Sequence, residues 1–312
     1  MQDFRAWAVK AAEWGADYRA GLRDRPVRPR VTPGEIAARI APSPPEEPEP
    51  FAQVFADFEH DIVPGMTHWQ HPRFFAYFPA NSAPASVVAE HLVNAMAAIC
   101  MLWQTSPAAT ELETRMVDWL RQAFGLPEGF SGVIQDTATT ATLAAVLVMR
   151  ERALGWSGNR EGLSGAPRLR VYATAEAHTS IDRAVWFAGI GAENLVRIPI
   201  QGPLRGADPE ALRALILEDL RAGHKPAGIV ASVGATGVGA TDPIAELAAV
   251  ARELDLYLHV DAAWAGSAMI CPELRPLWAG VERADSIVVN PHKWMGAQSH
   301  CTAHFVRDPA SL

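Results

Sequence analysis

The second half of the chain alternates short apolar runs with segments of helical periodicity, and no other feature constrains the fold as strongly. The alternation begins at Gly132 and continues to the end of the chain. Such alternation predicts an α/β fold with a mostly parallel sheet that is covered on both faces. We predict seven strands at 132–135, 168–174, 194–200, 228–235, 257–263, 286–292 and 302–307, with helices at 138–153, 179–188, 208–222 and 242–254.

The first 80 residues have a different character. Residues 3–20 predict an amphipathic helix, and the proline-rich segment 24–50 that follows predicts an extended connector. Because such a connector is not expected to bring the helix back onto its own domain, we expect the aromatic stripe of the helix to pack on a partner. We therefore predict a helical and extended dimerisation segment over 1–80 and a large α/β domain over 81–312. The aromatic stripe consists of Phe4, Trp7, Trp14 and Tyr18.

Composition and charge exclude several classes of function. The chain of 312 residues carries 27 Lys and Arg against 35 Asp and Glu, a net charge of −8, which argues against nucleic-acid binding. Its three cysteines are far apart and form no CxxC pair, so we expect neither disulfides nor a zinc site, and we expect a cytoplasmic location. No stretch approaches the roughly 18 apolar residues of a membrane span, so we expect none.

Ligands of parallel sheets bind beyond the carboxyl ends of the strands, so the residues there carry most of the functional information. Small and hydroxyl residues at 136–142 open a helix, which suits a phosphate group and equally suits an ordinary N-cap. His178 follows the next strand, where a histidine can stack on a flat cofactor, transfer protons or merely cap and pack. Thr236 follows the fourth strand beside two glycines, which permit close approach of a ligand or simply a tight turn.

Two charged residues at strand ends are harder to explain by structure alone. Asp261 ends an apolar strand, and a buried carboxylate needs either a salt bridge to an arginine or the protonated ring nitrogen of a cofactor. Lys293 follows the predicted strand 286–292, where it is either a surface charge or a nucleophilic amine kept partly neutral by its surroundings. With His178 and the helix start, these residues supply what pyridoxal phosphate needs: an amine for its aldehyde, an anion for its ring nitrogen and donors for its phosphate.

Five segments resemble sequence motifs of one known family. The most specific are HVDAAWAGSAMICPELR at 259–275 and ADSIVVNPHKW at 284–294, and the others are THWQHPRFFAYFPA at 67–80, TSPAATELETRMVDWL at 105–120 and AEAHTSIDRA at 175–184. They resemble the aromatic L-amino-acid decarboxylases, which are group II decarboxylases of fold type I that depend on pyridoxal phosphate. The resemblance runs over essentially the whole chain. It implies a fold type I large domain, a homodimer, and conversion of an aromatic L-amino acid into an amine and CO2.

The resemblance also implies a role for each site residue. Lys293 matches the lysine that forms the Schiff base, Asp261 the partner of the ring nitrogen, and His178 the histidine stacked on the ring. Ala263 matches the small residue packed near the ring, and Thr236 a threonine beside the cofactor. Ala138 and Thr139 match the phosphate-binding pair, joined by Asn290 and His292, whereas Trp69, Tyr77, Phe78, Pro79, Ile99 and Met101 match the substrate pocket.

The chain departs from the family in two places. Asp136, Thr137 and Thr140 stand where the family has small residues and a glutamate, and we expect the Asp136 carboxylate to face elsewhere because a phosphate would repel it. Family members also continue beyond the position of Leu312, with a mobile loop that carries a proton-donating tyrosine and with a C-terminal domain. We therefore expect residues 1–312 alone to bind the cofactor but to turn over slowly.

Two alternatives to the decarboxylase remain open. The first is an aromatic aldehyde synthase on the same fold, because the tyrosine that distinguishes the two lies in the loop beyond this sequence. The second is a catalytically incomplete chain that acts only as a dimer or regulatory partner. As to the substrate, the aromatic residues of the pocket favour an aromatic amino acid over glutamate, since Arg73 is the only cation nearby. The sequence does not rank the aromatic amino acids.

Overall fold

In the computed structural model, which describes residues 3–78 and 80–312, the chain divides into two units, Met1–Pro79 and Ala80–Leu312. The described part of the first unit contains the helices α1, Phe4–Ala20, and α2, Phe51–Asp57. Helix α2 continues into a π-helical turn, Phe58–Ile62. The predicted helical character of the N-terminal segment is confirmed.

The aromatic stripe of α1 packs on the helix that follows the proline-rich connector. Trp7 lies against Phe51 with ring centroids 4.8 Å apart, and Trp14 lies against Phe58 at 4.9 Å. The expectation that the connector prevents α1 from folding back is therefore wrong, because aromatic residues of 51–58 form the surface that receives it. None of the residues in α1 is fully buried, so this packing is partial.

The second unit is built on a β-sheet. Its strands, in chain order, are β1 Ser131–Gln135, β2 Leu169–Thr174, β3 Leu195–Ile198, β4 Ile200–Gln201, β5 Gly206–Ala207, β6 Lys225–Ser232, β7 Tyr257–Asp261, β8 Ser286–Val289 and β9 Thr302–Val306. Strands β4 and β5 form a separate hairpin, and the other seven form one sheet in the order β1-β9-β8-β7-β6-β2-β3. The predicted strand 194–200 is split between β3 and β4 at Pro199, which has no N–H to continue a ladder.

The direction of the strands brings most of their carboxyl ends to one edge. Strands β3, β2, β6, β7 and β8 run parallel to their neighbours, whereas β9 runs antiparallel to both β8 and β1. Because β1 and β8 are both antiparallel to β9, they point in the same direction. The mostly parallel seven-stranded sheet is thus confirmed, and the segments that follow β1, β2, β6, β7 and β8 all begin at the same edge.

The helices of the second unit, in chain order, are α3 Pro84–Met96, α4 Pro107–Ala123, α5 Ala138–Ala153, α6 Gly158–Glu161, α7 Ser180–Phe187, α8 Pro209–Arg221, α9 Ile244–Glu253 and α10 Pro291–Trp294. Helix α5 starts at the predicted residue, because the Thr137 hydroxyl accepts the N–H of Thr140 at 3.4 Å. It packs closely on β6, where a Cβ on Gly228 would lie 2.6 Å from the sulfur of Met149. None of the helices in the described ranges combines the length and the apolar character that crossing a membrane requires.

Helix α4 protects the outer edge of the sheet. Strand β1 lies at one end of the sheet, where unpaired N–H groups would otherwise invite pairing with another chain. The Glu113 carboxylate on α4 accepts the Ile134 N–H at 2.6 Å. This contact fixes β1, and with it the start of α5, which directly follows.

Candidate active site

The segments that follow the parallel strands carry the predicted site residues to one edge of the sheet. Asp261 is the last residue of β7, and its register neighbours are Ser232 on β6 and Val288 on β8. Lys293 lies on α10, the short helix directly after β8. His178 lies in the turn between β2 and α7. The topology therefore brings together residues that are 115 positions apart in the sequence, from 178 to 293.

Lys293 is half-buried in this region. Burial lowers the pKa of Lys293 below the ordinary value of a lysine, and the charge of the Asp261 carboxylate opposes that effect. The surface-charge interpretation of this lysine does not fit a pKa lowered by burial. A larger fraction of its amine is neutral at physiological pH than for an exposed lysine, which favours nucleophilic attack on a carbonyl.

His178 is held by the first residue of α7. Its Nδ1 atom lies 2.9 Å from the Ser180 hydroxyl and 3.2 Å from the Ser180 N–H. Because a backbone N–H only donates, Nδ1 accepts, and the proton of the neutral ring resides on Nε2. Burial lowers the pKa of His178, Asp261 raises it and Lys293 lowers it further. The ring is therefore neutral at pH 7, close to both charged groups, and fixed in orientation.

Asp261 is buried, with 9% of its surface exposed. Its Oδ1 accepts the N–H of Ala263 at 3.1 Å. Among the described residues, no arginine lies within ion-pair distance of this carboxylate. The salt-bridge interpretation of Asp261 is therefore not supported, and the carboxylate keeps capacity for a protonated ligand.

The start of α5 reaches the same place. Ala138 packs against a small buried cluster that contains Ala263 and Val288, so the first turn of α5 lies beside the end of β7. Thr139 follows within that turn and is half-buried. The N–H groups of a first helical turn have no partner within the helix and attract anions.

A carboxylate also lies at this helix start. Asp136 accepts the Thr140 hydroxyl. The hydrogen bond from Thr140 lowers the pKa of Asp136, so the group is ionised at neutral pH. A negative charge thus stands at the start of α5, and the expectation that it faces away from a phosphate stays a prediction.

Asn290 and His292 are buried against the segment that leads into β9. The Asn290 side-chain oxygen accepts the Thr302 hydroxyl at 2.9 Å. Nδ1 of His292 lies 2.6 Å from the carbonyl oxygen of Cys301 and 3.0 Å from its N–H. Both side chains thus hold the backbone around α10 in addition to any contact with a ligand.

Thr236 is exposed on the loop that follows β6. The position of this loop depends on Asp242, whose carboxylate accepts the N–H of Ser232 at 2.6 Å and the N–H of Ala207 at 2.7 Å. Burial raises the pKa of Asp242 to about 6, although both backbone donors lower it. Asp242 thus anchors the base of the loop to β5 and β6.

The predicted substrate-pocket residues fall in both units, and each group is described by itself. In the first unit, Trp69 stacks on Tyr77 at 5.4 Å and lies 5.3 Å from Phe78. In the second unit, Ile99 and Met101 are exposed by 60% and 76%. Pro79 lies outside the described residues.

The sequence did not predict the residues that hold the candidate site residues in place through hydrogen bonds. Ser180 orients His178, and the spacing of the two, with a hydroxyl two residues after the histidine at a helix start, was a usable signal. The N–H of Asn81 donates to the carbonyl of Lys293 at 3.3 Å, and the N–H of Ala83 donates to that of Gly296 at 2.8 Å. No sequence signal indicated these backbone contacts, because they join segments more than 200 residues apart.

The chemistry of this donor set fits one kind of ligand. The amine with a lowered pKa suits an aldehyde, and the buried carboxylate that pairs with no arginine suits a protonated ring nitrogen. The neutral imidazole suits the face of an aromatic ring, and the helix start suits an anionic group on that ring. A metal does not fit as well, since the described residues contain no cluster of three or more His, Cys, Asp or Glu that could hold one. The fold and the site thus define a protein of the type that binds pyridoxal phosphate.

Comparison with known proteins gives the same answer. Residues 33–312 match the family described as pyridoxal-dependent decarboxylase conserved domain. The chain therefore belongs to the pyridoxal-dependent decarboxylase family, whose cofactor is pyridoxal phosphate, and the resemblance inferred from the motifs is confirmed.

Similar proteins carry related activities in their names. An aromatic-L-amino-acid decarboxylase of Catharanthus roseus is 38% identical over 318 residues, which cover 100% of this chain and 63% of that protein. A phenylacetaldehyde synthase of Petunia hybrida is 37% identical, over 100% of this chain and 62% of that protein. The crystal structure of Oryza sativa TDC with PLP and tryptamine matches with a TM-score of 0.95 and 38% identity, over 99% of this chain and 65% of that one. The chain thus spans just under two thirds of the length of these proteins.

Proposed function

We propose that this chain forms the cofactor site of a decarboxylase that converts an aromatic L-amino acid into the corresponding amine and CO2. The observation that supports the proposal most directly is the cluster of Lys293, Asp261 and His178. These residues are close enough for the charges of Asp261 and Lys293 to change the pKa of His178, and for Asp261 to change that of Lys293. Perturbed titratable groups that meet at a ligand-binding edge are typical of an active site.

When bound, pyridoxal phosphate supplies an aldehyde that combines with amines and a ring that withdraws the electron pair left when CO2 departs. Lys293 would hold the aldehyde through its partly neutral amine. Asp261 would accept a hydrogen bond from the protonated ring nitrogen and keep it charged. His178, fixed by Ser180, would cover one face of the ring with a neutral imidazole. The remaining proposed contacts are Ala263 beside the ring, Ala138 and Thr139 at the phosphate, and Thr236, Asn290 and His292 around them.

The aromatic character of the substrate is supported by the residues predicted for the pocket. Trp69, Tyr77 and Phe78 form an aromatic group in the first unit, and Ile99 and Met101 add apolar side chains in the second. Glutamate would require a cation for its side-chain carboxylate, and Arg73 is exposed. We propose tryptophan, tyrosine, dopa or phenylalanine as the substrate, in line with the names of the similar proteins.

We further propose that the protein is a homodimer. Helix α3 exposes the stripe Val88, Leu92 and Met96, with 60%, 57% and 69% of each residue accessible. Helix α4 similarly exposes 56% of Trp119. Apolar residues at this density on adjacent turns are typical of a surface that a partner covers. A cytoplasmic location is the matching proposal, supported by three free cysteines.

An aldehyde synthase is the second candidate function, and the 37% identity with a phenylacetaldehyde synthase favours keeping it. The two activities share the cofactor and the loss of CO2, so they differ in the product. We expect the decarboxylase, in which the amine accumulates without aldehyde or ammonia.

The experiment offers the protein, loaded with pyridoxal phosphate, a panel of tryptophan, tyrosine, dopa, phenylalanine and glutamate, and quantifies CO2, amine and aldehyde. Lys293→Ala is the matched control. We expect amine from at least one aromatic amino acid, none from glutamate and none with the variant. Aldehyde in place of amine would establish the second candidate. Cofactor uptake with no product from any amino acid would support the catalytically incomplete chain, and equal rates for both proteins would contradict the role of Lys293.

A further inference from the structure

The carboxylate of Asp136 occupies the start of α5, where the proposed function puts the phosphate of the cofactor. It accepts the hydroxyl of Thr140 one turn into the helix, and the backbone N–H of Thr137 also contributes a hydrogen bond to it. Because these donors hold the charged form, the carboxylate is an anion at neutral pH. Helix α5 thus begins with an anion that the chain itself supplies.

This arrangement sets two anions against each other. The 16 residues of α5 present their first-turn N–H groups at Ala138 and Thr139, which makes the helix start attractive to a phosphate. The Asp136 carboxylate is held at the same helix start by the Thr140 hydroxyl and the Thr137 N–H, so its charge adjoins these N–H groups. Even in a largely aqueous environment, like charges a few ångströms apart change a binding equilibrium by about tenfold.

A histidine also lies near the Asp136 carboxylate. The hydrogen bond from Thr140 lowers the pKa of Asp136 the most and His300 lowers it the least, so the imidazole is within electrostatic reach of the carboxylate. The ring of His300 lies 6.1 Å from that of His292, with the two planes nearly perpendicular. Asp136 is exposed, so rotation of its side chain away from Thr140 meets little packing resistance.

We propose that Asp136 sets the affinity of the cofactor site for phosphate by competing with it for the start of α5. Binding of a phosphate group displaces the carboxylate from Thr140, and the cost of that displacement weakens binding. The inference rests on the proposed function, because it takes the start of α5 as the phosphate subsite. It assigns Asp136 a role in limiting the affinity for the cofactor that differs from simple capping of a helix.

The test compares pyridoxal phosphate with pyridoxal, which has the same ring and aldehyde but no phosphate. Dissociation constants for both are measured by quenching of tryptophan fluorescence in wild type, in Asp136→Asn and in Asp208→Asn. Asparagine keeps an oxygen that can accept the Thr140 hydroxyl and removes only the charge. Asp208 is the matched control, because its carboxylate caps α8 by accepting the N–H groups of Glu210 and Ala211. Asp136→Ser serves as a second uncharged variant if the asparagine variant folds poorly.

We expect Asp136→Asn to bind pyridoxal phosphate about tenfold more tightly, with the affinity for pyridoxal unchanged. Inorganic phosphate should also compete with pyridoxal phosphate at about tenfold lower concentration in the variant. Asp208→Asn should behave as wild type for all three ligands. The inference is overturned if the ratio of the two affinities is the same in Asp136→Asn and wild type, whether or not both ligands bind more tightly. If wild type binds neither ligand, the proposed function itself fails and the inference fails with it.

Discussion

Two regions of the second unit complete their hydrophobic surfaces in opposite ways. In the central strands, Val171, Val260 and Ile287 are 0% exposed, so the sheet is covered by elements of the same chain. In α3, Val88 and Leu92 leave 60% and 57% of their surface exposed. The sheet, which we call the closed region, is therefore covered by one chain by itself. The apolar stripe of α3, which we call the open region, is left for another surface to cover.

The two regions meet next to Lys293. The N–H of Ala83, just before α3, donates to the carbonyl of Gly296 at 2.8 Å, and the Ser86 hydroxyl accepts the N–H of Gln298 at 2.6 Å. The segment after Lys293 is thus tied to the start of the helix whose apolar stripe is exposed. We infer that the sheet determines which residues form the site, and that whatever covers α3 determines how firmly the lysine segment is held.

The largest effect should come from removing one charge inside the closed region. Asp261→Asn retains an oxygen that can accept the Ala263 N–H but cannot hold a proton on a ring nitrogen. We expect turnover to fall by about a thousandfold, the scale of losing a charged partner of the reacting group, with cofactor uptake still measurable by absorbance.

The control for Asp261→Asn is Asp285→Asn, which changes a carboxylate that accepts the Leu258 N–H at 2.7 Å in the same sheet. This variant should keep turnover within a fewfold of wild type. Equal losses in the two variants would mean that Asp261 is only a structural carboxylate.

The next effect should come from the open region. Leu92→Asp places a charge in the exposed stripe of α3, and we expect it to weaken self-association by about a hundredfold, since a buried unpaired charge at an interface costs several kcal/mol. Sedimentation equilibrium measures the association, and near-ultraviolet circular dichroism checks the fold.

The matched control is Leu220→Asp on α8, because Leu220 is also exposed, by 47%. It should leave association unchanged. A monomeric wild type, or equal weakening by both substitutions, would contradict the distinction between the closed and open regions.

The closed region also contains two buried histidines that should lower the free energy of unfolding in acid. His259 and His304 are fully buried, and neither ring nitrogen of His304 has a hydrogen-bond partner among the described residues. Burial lowers the pKa of His259 to about 3 and that of His304 to about 4. In the unfolded chain a histidine takes up its proton near pH 6.5. The unfolded state therefore binds the extra protons first, and stability falls as the pH drops from about 6.5 toward 4.

We expect His304→Leu to reduce the loss of unfolding free energy between pH 7.5 and pH 5 by about 2 kcal/mol, the contribution of one such histidine. Urea unfolding at the two pH values measures it. Asp242 acts with the opposite sign, because its raised pKa lets the folded state bind a proton first, so the test is the difference between variant and wild type. His60→Leu, a change at a side chain that is 85% exposed, is the control. An unchanged pH dependence in His304→Leu would show that His304 is hydrated in the folded state.

The sequence was informative where one physical signal dominated. Helix α5 was predicted residue for residue at 138–153, because a threonine cap precedes a segment without Gly or Pro that is rich in Ala, Leu, Met, Arg and Glu. The sequence also indicated Asp261 and Lys293 as candidate site residues, since charges directly after apolar strands have few structural explanations, and their roles stay predictions.

Contacts between residues far apart in the sequence could not be predicted in the same way. The fold-back of α1 was missed although Phe51, Phe55 and Phe58 have helical spacing, because a proline-rich connector limits its own conformation but not the direction in which the chain returns. The sequence TAHFVR did not predict that His304 is buried, since a histidine in a strand can face either side of the sheet. The hydroxyl of Thr140 that holds the Asp136 carboxylate at the start of α5 was likewise not predicted from the sequence.

The central claim is that Lys293 is the residue that binds the cofactor covalently, and the composition of the chain makes a direct test simple. The chain has three lysines, Lys10, Lys225 and Lys293, so each is a control for the others. The protein is incubated with pyridoxal phosphate, reduced with borohydride, digested, and analysed by mass spectrometry for the lysine that carries the reduced cofactor. We predict label on Lys293 at close to one equivalent, at cofactor concentrations that leave Lys10 and Lys225 unmodified. Label spread evenly over the three lysines, or concentrated on Lys10 or Lys225, would contradict the account.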